Sequence, residues 1–126
     1  MARFVERRKY RRFEIPGGLA KIGKISGYPS FKTFSTPYPI LNACIGGVNI
    51  LCPGVFNTGE ELMLELLAPG EKAIRLRSKV VWTNPVPLSN DILTGFEFFP
   101  FGDDKDLNPL EAMSVLRRLY ARYIKA

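Results

Sequence analysis

The sequence contains no histidine and only two cysteines, Cys44 and Cys52. Histidine is the commonest general base and the commonest metal ligand in proteins, so its absence excludes most catalytic triads and most metal centres. Two cysteines are too few for the disulfide framework of a small secreted domain or for a structural zinc site. We therefore expect a protein that is not an enzyme, that needs no metal or cofactor, and that keeps both cysteines reduced and buried.

Long apolar runs are also missing. No stretch of about 18 apolar residues is present that could span a membrane, and the first residues lack the apolar core and cleavage site of a secretion signal. These absences predict a soluble cytoplasmic protein. With 126 residues, of which 46% are apolar, the chain is long enough for one globular domain and too short for two.

Positive charge is concentrated at the start of the chain. Residues 1–12 hold six basic side chains and one acidic side chain. They therefore account for most of the net charge of +6, and the rest of the chain is almost neutral. Such a block indicates a local anion site or a solvated tail rather than a generally basic surface. We expect a basic arm at 1–15, a β-barrel at 16–106 and a C-terminal helix at 107–126, all within one domain.

Short alternating segments fill the middle of the chain. In residues 73–82, Arg75, Arg77 and Lys79 alternate with apolar residues and Ser78, and this pattern puts Trp82 on the apolar face. Segments of this kind, bounded by glycine and proline, predict strands at residues 19–25, 31–34, 38–41, 48–52, 61–67, 73–82 and 95–99. Short strands at regular spacing predict an all-β barrel or sandwich.

The periodicity changes near the C-terminus. Asn108, Pro109 and Glu111 have the spacing of an N-cap, a first helical residue and a capping-box partner, so they predict a helix at 109–125. We expect this helix to pack on the barrel, rather than on a membrane surface, through the apolar side chains Leu110, Met113, Leu116, Tyr120 and Tyr123. The acidic cluster before it is interpreted as a solvated loop, not a cation site; its residues are Asp103, Asp104 and Asp106.

Two motifs occur together in this sequence. Arg7, Arg8 and Arg12, a pair of arginines followed by a third, resemble the arginine motif of the PilZ family. Residues 42–47, Asn-Ala-Cys-Ile-Gly-Gly, resemble its second motif, in which Asp or Asn, Ser and Gly follow one another at fixed spacing. With the later strands, the resemblance covers about residues 6–99. It implies a six-stranded antiparallel β-barrel that binds cyclic di-GMP, a bacterial second messenger, and relays the signal to another domain or protein.

The same resemblance implies which residues bind the ligand: Arg7, Arg8, Arg12, Asn42, Cys44 and Gly47. Arginine suits this ligand because its phosphates and guanine Hoogsteen edges present hydrogen-bond acceptors, which a guanidinium group contacts bidentately. We expect the arm to close over a ligand lying on the barrel. We further expect Asn42 to accept a guanine N–H through its carbonyl, and Gly47 to let the backbone turn sharply near the ligand.

Cys44 stands where the family usually has serine, and a thiol is a weaker hydrogen-bond partner than a hydroxyl. This departure keeps a second interpretation open: a PilZ-like interaction module that has lost the ligand and acts through a downstream protein partner. A third interpretation is a basic nucleic-acid-binding barrel, which the arm with Tyr10 and Phe13 favours. It explains less, because apart from Arg75, Arg77 and Lys79, which an outward strand face accounts for, the basic residues form no stripe along the predicted strands.

Overall fold

The computed structural model describes residues 11–25 and 34–124, and within them the chain forms six strands and one α-helix. The strands are β1 (Leu19–Lys24), β2 (Tyr38–Cys44), β3 (Gly47–Cys52), β4 (Glu61–Leu67), β5 (Ile74–Pro85) and β6 (Ile92–Phe98), and helix α1 (Leu110–Tyr123) follows them. Most of the extended piece predicted at 31–34 lies outside the described residues.

The six strands close into a barrel in the order β1-β2-β3-β6-β5-β4, and every neighbouring pair is antiparallel. The predicted all-β fold, a six-stranded antiparallel barrel with a C-terminal helix, is confirmed. Its cause is visible on β4, where Leu62, Leu64 and Leu66 are each at most 2% exposed and point inward. Each such leucine contributes about 1.5 to 3 kcal/mol by leaving water, so the period-two pattern fixes which face lines the core.

Two β-bulges interrupt the strand pairing. One lies between Ile40 and Asn42, and the other lies between Val80 and Trp82. Beyond the second bulge, Trp82 pairs with Gly95 on the outer face of the barrel. The prediction that Trp82 shares the inner face of β5 is therefore wrong, because one extra residue in the strand turns every later side chain to the opposite face.

Helix α1 begins one residue later than predicted. Pro109 is its N-cap, and no side chain caps the first turn. Asn108 is instead 1% exposed and joins the barrel: its Oδ1 accepts from the Arg77 amide at 2.7 Å, and its Nδ2 donates to the carbonyls of Arg77 and Phe99, both at 3.0 Å. The capping-box prediction is wrong because these three backbone bonds occupy the asparagine side chain.

The buried face of α1 is rotated from the predicted one. Leu116 is buried as expected, but Leu110 is 48% exposed. The other buried residues of the helix are Ala112, Val115 and Leu119. Tyr120 and Tyr123 are half-buried against the core. The contact with the barrel is therefore centred on Val115, Leu116 and Leu119, and the two tyrosines lie at its edge.

An ion-pair cluster fastens α1 to the turn between β4 and β5. Glu71, whose side chain is 8% exposed, accepts hydrogen bonds from Arg118 at 2.9 and 3.2 Å and from Arg122 at 3.1 Å. The hydrogen bonds and charge of Arg118, aided by Arg122, hold the pKa of the Glu71 carboxyl below its usual range. Because Arg118 donates two hydrogen bonds to the same carboxylate, it fixes the orientation of the helix more specifically than a single contact between exposed charges would.

Within residues 11–25 and 34–124, α1 is the one helix. It is not long and apolar enough to cross a membrane.

Candidate functional site on the outer face of the barrel

The end of the basic arm is part of the fold. Phe13 is 4% exposed and exchanges two backbone hydrogen bonds with Ala43 of β2, at 2.8 and 2.9 Å. Its ring also meets Tyr120 of α1 edge to face, with 5.8 Å between centroids. Because the Phe13 pairing is antiparallel, it brings the exposed Arg12 alongside Cys44. Arg7 and Arg8 lie outside the described residues.

Asn42 and Cys44 lie on strand β2 rather than in a turn. The turn comprises only Ile45 and Gly46, and Gly47 already begins β3. Cys44 pairs with Gly47 and is partly exposed, so the expectation that both cysteines are buried is wrong for Cys44. Cys52 is buried, and this burial raises the pKa of its thiol. The partly exposed thiol is the one at the candidate site.

Four of the predicted site residues, Arg12, Asn42, Cys44 and Gly47, line one open cavity of about 320 Å³. This volume is within the range typical of small-ligand sites. The floor of the cavity is the outer face of β2, β3, β6 and β5, and the arm borders it at Arg12. The structure thus brings together residues from the arm and from the second motif.

Gly47 is required by packing within the sheet. A Cβ atom at this position would lie 2.4 Å from the carbonyl oxygen of Phe96 on the neighbouring strand β6. That distance is far below van der Waals contact, so any larger residue would push β3 and β6 apart. The need for glycine at Gly47 is therefore explained by the strand contact, whereas the sequence interpretation attributed it to the turn and the ligand.

Asn49 is a site residue that the sequence interpretation missed. It pairs with Asn42 across β2 and β3, and its Nδ2 donates to Asn42 Oδ1 at 2.7 Å. Asn49 is 8% exposed and also lines the cavity. The two-residue turn carries the information needed to find it, because a hairpin closed at Cys44 and Gly47 sets Asn42 opposite Asn49.

Trp82 is the second missed residue. It lines the same cavity and lies against Gly95, where an added Cβ would be 2.4 Å from indole atoms Cε2 and Nε1. Glycine at 95 therefore lets the indole rest on the sheet. Asn42, Asn49, Gly95 and Trp82 follow one another across four adjacent strands. This row forms a floor with polar side chains at one end and an aromatic ring at the other.

Charge of both signs borders the cavity. The guanidinium of Arg12 lies on the arm side, and the carboxylate of Glu97 lies on β6, where it pairs in register with Gly47 and with Lys79. Such a site offers a cation that can bind an anion at one edge, and a carboxylate that can accept hydrogen bonds from N–H groups at another. A mixed ligand with phosphate and base groups matches these properties better than a simple anion does.

Across the described ranges there is no group of three or more His, Cys, Asp or Glu side chains able to hold a metal ion. In the exposed acidic loop before α1, Asp106 lies 3.9 Å from Arg77.

The fold and site together define a small β-barrel that presents a polar and aromatic surface beside a basic arm. The family model described as "PilZ domain" matches residues 6–115. The chain therefore belongs to the PilZ domain family, as its two motifs suggested. A comparison of the sequence with curated proteins finds no match.

Solved structures with the same fold include two bacterial proteins. The inhibitor of motility MotI/DgrA from Bacillus subtilis matches with a TM-score of 0.63 and 18% identity, covering 92% of this chain and 50% of that one. YcgR from Escherichia coli, solved in complex with cyclic di-GMP, matches with a TM-score of 0.66 and 13% identity, covering 92% and 45%. The chain thus spans about half the length of each neighbour.

Proposed function

We propose that this protein is a receptor and adaptor domain for cyclic di-GMP. The observation that carries the proposal is the convergence of Arg12, Asn42 and Cys44 on one cavity that also contains Trp82. Membership of the PilZ family and the fold shared with YcgR, which was solved with this ligand, support the same choice. The role is one of binding, with no catalytic step, and we propose that it is exercised in the cytoplasm.

Arg12 supplies the charged contact in this proposal. Arg12 is exposed and lines the cavity, and the backbone pairing of the adjacent Phe13 with Ala43 fixes the chain at this point. A guanidinium can donate two hydrogen bonds to a phosphate or to guanine O6 and N7. We assign Arg7 and Arg8 to the same ligand on the strength of the motif alone.

Trp82 supplies the apolar contact. Its indole rests on Gly95, so one ring face has a fixed support. Stacking of a base on an aromatic ring is worth about 1 to 3 kcal/mol and is open to every base, because every base has a π-face. We therefore propose that one guanine stacks on Trp82 while neighbouring polar groups read its edges.

Relay of the signal requires a structural change that a partner can detect. Phe13 links the arm to β2 through its backbone and to Tyr120 of α1 through its ring. We propose that a ligand that orders the arm changes these contacts with the helix. We propose that a downstream protein recognises the ordered arm and its surroundings.

The alternative adaptor without ligand rests on Cys44. Its thiol lines the cavity in place of the usual serine hydroxyl, which weakens one hydrogen bond but leaves the arginine and stacking contacts in place. The ligand-binding role is therefore preferred.

Calorimetric titration with cyclic di-GMP tests the proposal. Binding should be saturable and should weaken as salt rises, because arginine contacts to phosphate are screened. The absence of heat at several protein concentrations and low salt would favour the adaptor that has lost its ligand. Tighter binding to a single-stranded oligonucleotide, with a steep salt dependence, would favour the nucleic-acid interpretation.

A further inference from the structure

The hairpin formed by β5 and β6 continues past the candidate ligand site. Trp82 lines the cavity, and the two strands stay paired beyond it as far as Pro85 and Ile92. The amide of Val86 then donates to the carbonyl of Asp91 at 3.0 Å, which closes the loop between the strands. The hairpin therefore ends in a short loop that a backbone hydrogen bond holds together.

Four consecutive apolar residues occupy the end of this hairpin: residues 85–88, Pro-Val-Pro-Leu, which we call the hairpin tip. Pro85, Pro87 and Leu88 are exposed, and the exposure of Leu88 is complete. A run of exposed apolar residues gains nothing from the folded barrel, and such runs are uncommon on protein surfaces that bind no other molecule. Packing within this domain therefore does not explain the hairpin tip.

The backbone makes leucine at position 88 still less favourable. Leu88 has a φ of 60°, and among the described residues it is the one non-glycine residue with a positive φ. In this left-handed region the Cβ atom lies too close to the following carbonyl oxygen, and glycine or asparagine adopts it at a lower cost. Leucine at this position therefore costs stability without any gain from burial.

Two prolines and a side-chain hydrogen bond restrict the hairpin tip. Pro85 and Pro87 each fix their own φ, and the amide of Asp91 donates to Ser89 Oγ at 3.0 Å just beyond the tip. A segment that is already restricted loses less conformational entropy when it binds. The tip thus presents Leu88 in a conformation that is largely set before any contact forms.

The charge of the surrounding segment indicates which kind of surface suits the tip. Residues 80–104 contain four acidic residues and no lysine or arginine, although the whole chain has a net charge of +6. Acidic side chains are repelled by the anionic headgroups of a membrane and by nucleic-acid phosphates, whereas basic side chains on another protein attract them. The charge therefore favours a protein partner that has basic side chains around an apolar pocket.

We propose that the hairpin tip is a docking surface for such a protein, with Leu88 inserted into its apolar pocket. The proposal rests on the adaptor function proposed above and gives its downstream partner a defined contact. The floor of the cavity runs from β2, beside the arm, to β5. Because the hairpin extends from the strand farthest from the arm, a partner can contact the tip while ligand and arm occupy the cavity.

Leu88→Asn is the sharpest test, because it moves two readouts in opposite directions. Asparagine tolerates the left-handed conformation, so we expect the Tm to rise by about 3 to 6 °C. The affinity for the partner should fall by about 10-fold or more, because the buried leucine side chain is lost. Weaker binding by a more stable protein cannot be caused by unfolding. An unchanged or lower Tm would overturn the premise that leucine is costly at this position.

Val55→Asn is the matched control. Val55 is an apolar residue in the loop between β3 and β4, it is 78% exposed, and its φ is not positive. This substitution should change neither the Tm nor the affinity for the partner. An equal loss of partner affinity in both variants would overturn the assignment to the hairpin tip.

Site-specific photo-crosslinking supplies the partner for these titrations. Benzoylphenylalanine replaces Leu88 in one sample and Val55 in another, in cells that naturally contain the protein, and mass spectrometry identifies the products. We expect one protein to be captured from position 88 and not from position 55, and after purification to bind Leu88→Asn more weakly than the parent. The absence of a product at position 88, capture of lipid or of a second copy of this chain alone, or equal affinity for parent and variant would overturn the proposal.

The titrations also separate this proposal from the proposed function. Leu88 does not line the cavity, so Leu88→Asn should bind cyclic di-GMP with the Kd of the parent. If the parent does not bind cyclic di-GMP, the proposed function fails, whereas partner binding measured without ligand still decides whether the tip is a docking surface. If the parent binds cyclic di-GMP and Leu88→Asn keeps full affinity for the partner, the docking surface fails alone.

Discussion

Gly95→Ala should weaken ligand binding through Trp82 without touching the ligand. The new methyl carbon would lie 2.4 Å from Cε2 and Nε1 of the indole and 2.9 Å from Cζ2. Favourable carbon contacts lie at about 3.5 to 4.0 Å. The ring must therefore rise from the sheet by about 1 Å or more, since Gly95 lies in the middle of strand β6 and the backbone beneath it is held by β3 and β5.

A displaced ring loses most of its stacking on a base in the cavity. Base stacking on an aromatic side chain is worth about 1 to 3 kcal/mol, so we expect Kd to rise by roughly 5-fold to 150-fold. Trp82→Ala should produce a loss of the same size. Combining the two substitutions should cost little more than Trp82→Ala alone, because Gly95→Ala acts only through the indole.

Tryptophan fluorescence is a direct assay for this prediction, because Trp82 is the single tryptophan of the chain. Addition of cyclic di-GMP should change the emission of the parent protein, and the titration gives Kd for the parent and for Gly95→Ala. Calorimetry supplies Kd for the variants that lack tryptophan. Parent-like affinity in a folded Gly95→Ala protein, or additive losses in the double variant, would refute the stacking role.

Three further outcomes are expected. Arg12→Ala should cost roughly 1.5 to 3 kcal/mol of binding free energy by removing a charge-assisted contact, and calorimetry should show no such loss for exposed Arg117→Ala. Cys44→Ser should tighten binding by about 0.5 to 1.5 kcal/mol with an unchanged Tm, because its side chain lines the cavity and not the core; a lower Tm without tighter binding would contradict this. Glu71→Gln should lower the Tm at neutral pH, and the difference from the parent should shrink as pH falls through the depressed pKa of Glu71, since the ion pair stabilises only while the carboxylate is charged. A difference in Tm independent of pH would exclude the ion pair as the cause.

The sequence predicted the barrel because its strands bury alternate side chains. On β4 the leucines at alternate positions are inside, and no other assignment of that segment would bury them together. Trp82 was misplaced because a β-bulge leaves the local pattern of residue types unchanged while reversing the faces beyond it. Asn108 was misplaced for a related reason: its side chain bonds Arg77 and Phe99, which are distant in sequence, whereas capping rules consider only nearby residues.

The candidate site was only partly predictable. The two motifs identified Asn42 and Cys44 by spacing, but motif spacing carries no information about which atom of an amide is already engaged. Asn49 lies outside the motif, and its importance becomes visible only when strand pairing sets it opposite Asn42. The register that pairs the two residues follows from a two-residue turn at Ile45 and Gly46, whereas the sequence interpretation placed the sharp turn at Gly47.

Chemical-shift mapping of the isotope-labelled protein with cyclic di-GMP tests the central claim most directly. We expect saturable shifts concentrated at four residues that line one cavity on the outer face of the barrel: Arg12, Asn42, Asn49 and Trp82. Smaller shifts should follow at Tyr120, which contacts the arm through Phe13. Shifts centred elsewhere on the barrel, or a spectrum that does not change at saturating ligand, would contradict the account.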